Sequence, residues 1–291
     1  MDLEHKAILR LREASEISQH LYQKPLLVCI SGGKDSSVVE ELARRARIPF
    51  EVLHSHTTAD APETVRFVRS EFQRLEGLGI PCSYHWPTYK GERTSMWKLI
   101  PQTSIPPTRT VRYCCSVLKE SGGGGRYIVT GVRWAESTAR KNNRSAHEIL
   151  GSNKKKNVLM LNMDNDENRR MFESCQLKGK RIVNPIIDWS DDDVWQFCED
   201  AKIPLNPLYR EGFHRVGCVG CPMARRAGRE AEFARWPKYR QMYINAFNRM
   251  IDARKQRGME TATWETGIDV YHWWMEDGVM AGQTNLFGDD D

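Results

Sequence analysis

Apolar positions recur along this chain with two different periods, and the switches between them predict its elements. Ile8, Leu9, Leu11, Ile17 and Leu21 fall at helical spacing and predict an amphipathic helix within residues 1–24. Short apolar and β-branched runs follow at Leu26–Ile30, Phe50–His54, Cys82–Trp86, Tyr127–Val132 and Ile182–Ile186, each predicted as a strand. Helical patterns lie between them, for instance at Pro62–Leu75 and Asp191–Ala201. In "SSVVEELARRAR" Val38, Val39, Leu42 and Ala46 share one helical face, with Ser36 or Ser37 as the expected cap. Such alternation implies an α/β fold with a mostly parallel sheet and helices on both faces.

From Arg229 onward the pattern reads as helix, followed by the aromatic stretch "WETGIDVYHWWMEDG" and an acidic tail. Two domains are therefore expected, residues 1–228 and a helical C-terminal extension at 229–291. The polar segment "SNKKKNVLMLNMDNDENRRM" reads as an insertion with mobile ends, and "SGGGG" at Ser121–Gly125 as a turn before a strand. "WSDDDVWQFCEDA" starts a helix with Ser190 as cap and acids in its first turn. Capping explains those acids better than a metal site does.

A chain of 291 residues with 40% hydrophobic and 28% charged residues describes a globular protein with a sizeable core. No apolar run approaches a membrane span, and "MDLEHKAILRLREA" lacks a signal-peptide apolar core, so a cytoplasmic location is expected. The net charge of +5 is mild, but the cations cluster near Arg66 and Arg69 and at 139–144, 154–156 and 224–229. Clusters of this kind serve a polyanion, a small phosphate ligand or merely a solvated face.

The run "LLVCI" ends directly in "SGGKDS", Ser31 to Ser36. Glycines at a strand-to-helix junction let backbone N–H groups approach an anion, and the helix N-terminus adds positive potential. Lys34 adds a mobile charge. The G-x-x-x-x-G-K spacing of a Walker A loop is absent. In a doubly covered parallel sheet, ligands bind at the carboxyl ends of the strands, where Ser31, Gly32, Gly33, Lys34, Asp35 and Ser36 fall.

Eight cysteines in a chain expected in the cytoplasm point to metal or thiol chemistry. Cys114 and Cys115 are adjacent in "RYCCSVLKE", and Cys218 and Cys221 form a C-x-x-C in "HRVGCVGCPMA". Four thiolates suit zinc or an iron–sulfur cluster. Adjacent cysteines diverge from one backbone and fit a cube with several iron corners better than one tetrahedral ion; a zinc staple or buried thiols are the alternatives. Cys29, Cys82, Cys175 and Cys198 each lie in apolar or helical context and read as core filling.

Taken in order, "SGGKDS", "HTTADAPET", "RYCCSVLKE", "GVRWAESTAR", "NPIIDWSDDDVW" and "IPLNPLYREGFHRVGCVGCP" resemble the phosphoadenosine-phosphosulfate reductase superfamily of PP-loop enzymes over most of the chain. The resemblance implies a Rossmann-like adenine-nucleotide α-hydrolase fold, with a [4Fe-4S] cluster on Cys114, Cys115, Cys218 and Cys221. It places Asp60, Glu63 and Thr64 in a second nucleotide-binding segment. Gly131, Arg133, Glu136 and Arg140 belong to its G-x-R-x-x-E-S-x-x-R string, in which the two arginines offer planar forks for phosphate oxygens. Glu136 and Arg140 also stand four apart, the spacing of a helical surface pair.

Two departures from the family pattern bear on activity. Reductases of the family attack with a cysteine near the C-terminus, whereas no cysteine follows Cys221 in this sequence; they also carry an eroded loop, whereas here it is whole. The expected activity is therefore an ATP pyrophosphatase using Mg²⁺, with Lys34 and Asp35 catalytic, which adenylates an oxygen for replacement by sulfur. The resemblance extends to the iron–sulfur PP-loop ATPase of DNA phosphorothioation, implying a cysteine desulfurase as sulfur donor and DNA within a multi-protein complex; transfer RNA thiolation is a sister reaction. The alternatives are a phosphoadenylyl- or adenylyl-sulfate reductase using an external thiol, a sulfate adenylyltransferase subunit, and an iron–sulfur scaffold that does no catalysis.

Overall fold

The computed structural model describes residues 2–150, 158–161, 180–259 and 264–276. The first helices and strands are α1 (Leu3–Tyr22), β1 (Leu26–Cys29), α2 (Lys34–Arg45), β2 (Phe50–Ser55), α3 (Pro62–Gly77) and β3 (Cys82–His85). A hairpin of β4 (Thr88–Tyr89) and β5 (Glu92–Arg93) precedes α4 (Met96–Thr103) and α5 (Tyr113–Leu118). Next come β6 (Tyr127–Val129), α6 (Thr138–Asn143), β7 (His147–Leu150), β8 (Val158–Leu161) and β9 (Lys180–Val183). The last helices are α7 (Asp191–Asp200), α8 (Arg226–Arg235), α9 (Pro237–Gln256) and α10 (Gly267–Met275). None of the described helices is long and apolar enough to cross a membrane.

The chain divides into two compact units. The first, from Met1–Ser55, Pro62–His85 and Gly122–Val216, holds a seven-stranded sheet in the order β3-β2-β1-β6-β9-β7-β8. β3, β2, β1, β6 and β9 run parallel, as the alternation of strands and helices predicts; β7 and β8 are antiparallel. Along β1 the side chains alternate between two apolar layers. Leu26 and Val28 join α1, α2, α3 and α7 residues such as Leu11, Val39, Phe72 and Val194, whereas Leu27 packs with Leu53, Ile128 and Ile182. Burying each such aliphatic side chain is worth about 1.5–3 kcal/mol.

β9 begins earlier than expected and stops before Pro185, which has no N–H for a ladder. β7 and β8 are additional to the expected strands. Most of the segment that reads as an insertion, including 154–156, lies outside the described residues, as do Cys175 and the acidic tail. Neither Ser36 nor Ser37 caps α2. The helix starts at Lys34 after an extended Gly33, and the Ser36 hydroxyl instead donates to Gly33 O at 2.7 Å.

The second unit comprises His56–Ala61, Trp86–Ser121 and Gly217–Asp291. Its core is built from α4, α9 and α10, with Leu99, Ile100, Tyr243, Phe247, Met250 and Trp274 buried. The Trp274 indole stacks on Tyr243 at 4.7 Å and donates to Pro107 O at 2.6 Å. The pattern from Arg229 predicts one helical run, but α8 and α9 are separate, because Pro237 interrupts the helix and opens the next one at its first turn.

Candidate active site and candidate metal centre

In the first unit, β1 delivers the chain into the turn Ile30–Gly33 at its carboxyl end, and α2 leaves from it. Gly32 adopts φ +79°, and a Cβ there would lie 2.9 Å from Thr64 Cγ2, so both conformation and space require glycine. Asn206, whose amide donates to Gly32 O at 3.2 Å and to Thr64 Oγ1 at 3.1 Å, pins the turn to α3. Ser31 N–H donates to Ser36 Oγ at 3.2 Å, and Lys34 N–H to the Tyr209 hydroxyl at 2.9 Å. Burial pushes that phenol up to about 12, so it stays a neutral partner of the helix start.

Two cations are held at this turn. Lys34 is 8% exposed and Arg133 only 1%. Arg133 donates through Nε to Asp35 at 2.6 Å, through Nη2 to Asp191 at 2.7 Å, and through Nη1 to Trp189 O at 3.3 Å. Lys34 Nζ lies 3.3 Å from Asp35 and 3.4 Å from the same Asp191 oxygen. The hydrogen bond from Arg133, with charge from Lys34 behind it, holds the Asp191 carboxyl below the usual carboxylate range. Gly131 lets this assembly close, since a Cβ there would lie 2.9 Å from the Asp35 backbone.

Glu136 and Arg140 form an ion pair with each other, as their spacing allows. Glu136 also accepts from Arg133 N–H at 3.0 Å, which fixes the turn that presents the arginine. Ser31 to Ser36, Gly131 and Arg133 thus come together, while Glu136 and Arg140 brace them. Asp191 joins them as well, as does Tyr209 through its bond to the Lys34 amide. The only sequence signal for Asp191 is the acid run "SDDD", which its place in a helix first turn already explains.

In the second unit, Cys114 and Cys115 from α5 and Cys218 and Cys221 from a turn line one cavity of about 330 Å³ including its mouth. Thr57, Met96, Leu118, Lys119, Pro222 and Tyr243 complete its walls. The turn is anchored by Cys221 N–H on Cys218 O at 3.2 Å and by Val219 N–H on Ala59 O at 2.8 Å. A hydrogen bond from the Cys114 thiol, aided by Arg112 at 3.4 Å, lowers Cys115 below the usual thiol range; burial pushes Cys218 up to about 11. Attraction to Cys218 above all raises the Lys119 ammonium's pKa. Four thiols with a cation beside them fit a soft, thiolate-bound metal group such as an iron–sulfur cluster.

Asp60 belongs to this unit, bridging backbone to backbone with Cys218 and accepting from Thr57 Oγ1 at 2.7 Å. Glu63 pairs with Arg66 at 3.6 Å, and Thr64 accepts the Asn206 bond at the loop.

The family model of the phosphoadenosine phosphosulfate reductase domain matches residues 25–224. An adenosine 5′-phosphosulfate reductase of Allochromatium vinosum is 26% identical over 216 residues, covering 72% of this chain and 73% of that protein. An uncharacterised Methanocaldococcus jannaschii protein is 28% identical over 230 residues, 79% of this chain but only 47% of its own length. Among solved structures, a Candida auris phosphoadenylyl-sulfate reductase aligns at TM-score 0.44 with 16% identity, over 73% of this chain and 88% of that one. A Methanococcus maripaludis U34-tRNA thiolase with its [4Fe-4S] cluster aligns at 0.41 with 12% identity, over 87% and 82%.

Proposed function

The chain belongs to the phosphoadenosine phosphosulfate reductase domain family, and within it we propose an ATP pyrophosphatase that adenylates an oxygen for replacement by sulfur. The observation that carries this reading is the pair of nearly buried cations, Lys34 at the N-terminus of α2 and Arg133 reaching it through Asp35 and Asp191, beside a glycine turn. Cleaving ATP between the α- and β-phosphates places growing negative charge on a departing pyrophosphate, and pre-placed donors there lower the barrier. The acceptor oxygen attacks the α-phosphorus, the bond to the bridging oxygen breaks, and pyrophosphate leaves. In doing so, phosphate oxygens take over donors of Lys34 and Arg133 that Asp35 and Asp191 now occupy. These two carboxylates are the hard oxygen ligands that would hold Mg²⁺.

Sulfur at the sulfide level then displaces AMP, which carries the acceptor oxygen away. The acceptor in this reading is a DNA backbone phosphate, presented within a multi-protein complex. A cysteine desulfurase supplies the sulfur as persulfide, and a thiol reductant brings it to the sulfide level. Cys114, Cys115, Cys218 and Cys221 would hold a [4Fe-4S] cluster, one thiolate to each iron, which when bound would supply a redox-active group tuned by the charge and hydrogen bonds around those thiolates.

Identity with the Allochromatium reductase favours a second reading, sulfonucleotide reduction with an external thiol. Burial works against Cys82 and Cys198 in that role, since it pushes both thiols up to about 11. Pyrophosphate release from ATP and Mg²⁺ with DNA and without sulfate, abolished by Lys34→Ala or Asp35→Ala, is the expected result. Robust sulfite from phosphoadenylyl sulfate and reduced thioredoxin, with no pyrophosphate from ATP, would reverse the choice.

A further inference from the structure

Outside both sites, the second unit carries an exposed set of planar and cationic side chains on a short hairpin. Thr88 pairs with Arg93 and Tyr89 with Glu92, and the turn between them places Lys90 at φ 53° and Gly91 at φ 86°. Both turn residues having positive φ is the geometry of a tight two-residue hairpin, so its tip is a defined structure. Trp86, just ahead of β4, is 44% exposed although it is the largest side-chain type. The Arg93 guanidinium lies 3.9 Å from the Trp86 ring centroid, and the His56 ring is 4.7 Å away at 63°. Lys90 Nζ lies 5.6 Å from the Tyr89 ring, at the exposed tip.

Between Trp86 and Ser121 the exposed cations Lys90, Arg93, Lys98, Arg109, Arg112 and Lys119 outnumber the acids Glu92 and Glu120. β4 packs against α5, the helix that carries Cys114 and Cys115, so the hairpin adjoins the cysteine centre within its own unit. An exposed indole with a guanidinium over it presents a planar, cationic surface. It is well suited to a base face, because every base has a π-surface and Arg and Trp planes both stack on it. Lys90 at the tip adds a cation for a phosphate beside such a base.

We propose that Trp86, Arg93 and the Lys90 tip form a stacking platform for an unpaired base of a nucleic-acid strand. The inference rests on the reading above, in which a nucleic-acid backbone is the sulfur acceptor, and it assigns the surface that holds the strand. It requires the strand to be single or locally opened, because a base inside a duplex has both faces stacked on its neighbours.

The test measures binding of the full chain to short labelled single-stranded DNA, the same sequence as RNA, and blunt duplex DNA, without ATP and across about 50–200 mM salt. Trp86→Ala is expected to weaken single-strand binding about 5- to 150-fold, the loss of one base stack, with the salt dependence unchanged. Trp86→Phe should restore most of it. Lys90→Gln should instead flatten the salt dependence, by about 0.7 in logarithmic slope for a lost phosphate contact. Equal losses on DNA and RNA support the platform, which reads bases and not sugars. The proposal is overturned if the wild type binds no single strand, if Trp86→Ala binds like the wild type, or if duplex binding falls as much as single-strand binding. Because no ATP is present, failure of pyrophosphate release counts against the proposed reaction alone. Normal release beside strand binding that Trp86→Ala leaves unchanged counts against the platform alone.

Discussion

Replacing Arg133 by alanine removes the cation that ties Asp35 and Asp191 together beside the glycine turn. The guanidinium is 1% exposed and donates to Asp35 at 2.6 Å, Asp191 at 2.7 Å and Trp189 O at 3.3 Å. Removing one partner of a buried ion pair costs about 3–5 kcal/mol when the other stays buried and unpaired. Here the Asp35 and Asp191 side chains are 24% and 64% exposed and Lys34 remains beside both, so water and lysine recover part of the loss. The expected stability cost is about 1–3 kcal/mol, at roughly 2–4 °C of Tm per kcal/mol for a protein of this size class. The catalytic cost is separate. In the proposed reaction, losing one charge-assisted contact to the departing pyrophosphate would remove about 2.7–4 kcal/mol of transition-state stabilisation, a factor of about 10²–10³ in kcat. Arg133→Lys keeps the charge without the fork, so it should recover stability more than rate. Pyrophosphate release, with kcat and KM determined separately, and thermal unfolding are the two readouts. Wild-type kcat/KM in Arg133→Ala, with only Tm lowered, would refute the reasoning and leave Arg133 a structural ion pair.

Anaerobically purified protein should be brown with about four irons per chain, and Cys218→Ser should lose the colour; stoichiometric zinc without visible absorbance would contradict the cluster. Gly131→Ala should lower pyrophosphate release about tenfold to a hundredfold by shifting the loop, since the new methyl meets the Asp35 backbone at 2.9 Å; an unchanged rate would show that the contact is not critical. Asp188 accepts from Lys6 and Arg10 of α1, and although burial opposes ionisation, the hydrogen bonds from Arg10 and Lys6 hold its carboxyl at about 2. Its folded value lies below its unfolded one, so the stability it contributes, about 1–2 kcal/mol, is present above pH 4 and lost as pH falls toward 2. Asp188→Asn should flatten unfolding stability over that window, and parallel curves for the two proteins would dismiss the effect.

What the chain's own pattern reveals depends on how local the cause is. β1 and the turn after it follow from an apolar run meeting two glycines, so both are legible in the residues themselves. Ser36 does not cap α2 because a serine near a helix start has two uses, and this one braces the turn through Gly33 O and Ser31 N–H. β7 and β8 escape the pattern because they form the antiparallel edge of the sheet, one of them inside a segment whose overall polarity reads as loop. Asp60 follows β2 directly, yet its backbone pairs with Cys218, a partner 158 residues away along the chain that no spacing argument can supply.

The acids at the start of α7 carry the same lesson into a test. Successive residues on a helix project about 100° apart, so Asp191 and Asp193 leave the same turn in different directions. Asp193 accepts from Ser190 N–H at 2.7 Å and from its hydroxyl at 2.6 Å, closing a capping box that serves α7 alone. Asp191 instead neutralises Lys34 and Arg133, residues 157 and 58 positions away. Asp193→Ala should therefore cost about 0.5–2 kcal/mol of stability and leave pyrophosphate release intact. Asp191→Ala should cost about 1 kcal/mol or less, because its side chain is 64% exposed. It would leave two nearly buried cations with Asp35 as their remaining carboxylate. An anion then displaces one competitor fewer, so inorganic pyrophosphate should inhibit Asp191→Ala more strongly than the wild type while kcat falls. If pyrophosphate inhibits the wild type and both variants alike, Asp191 is no more than a first-turn acid, and the division of labour between these neighbours is wrong.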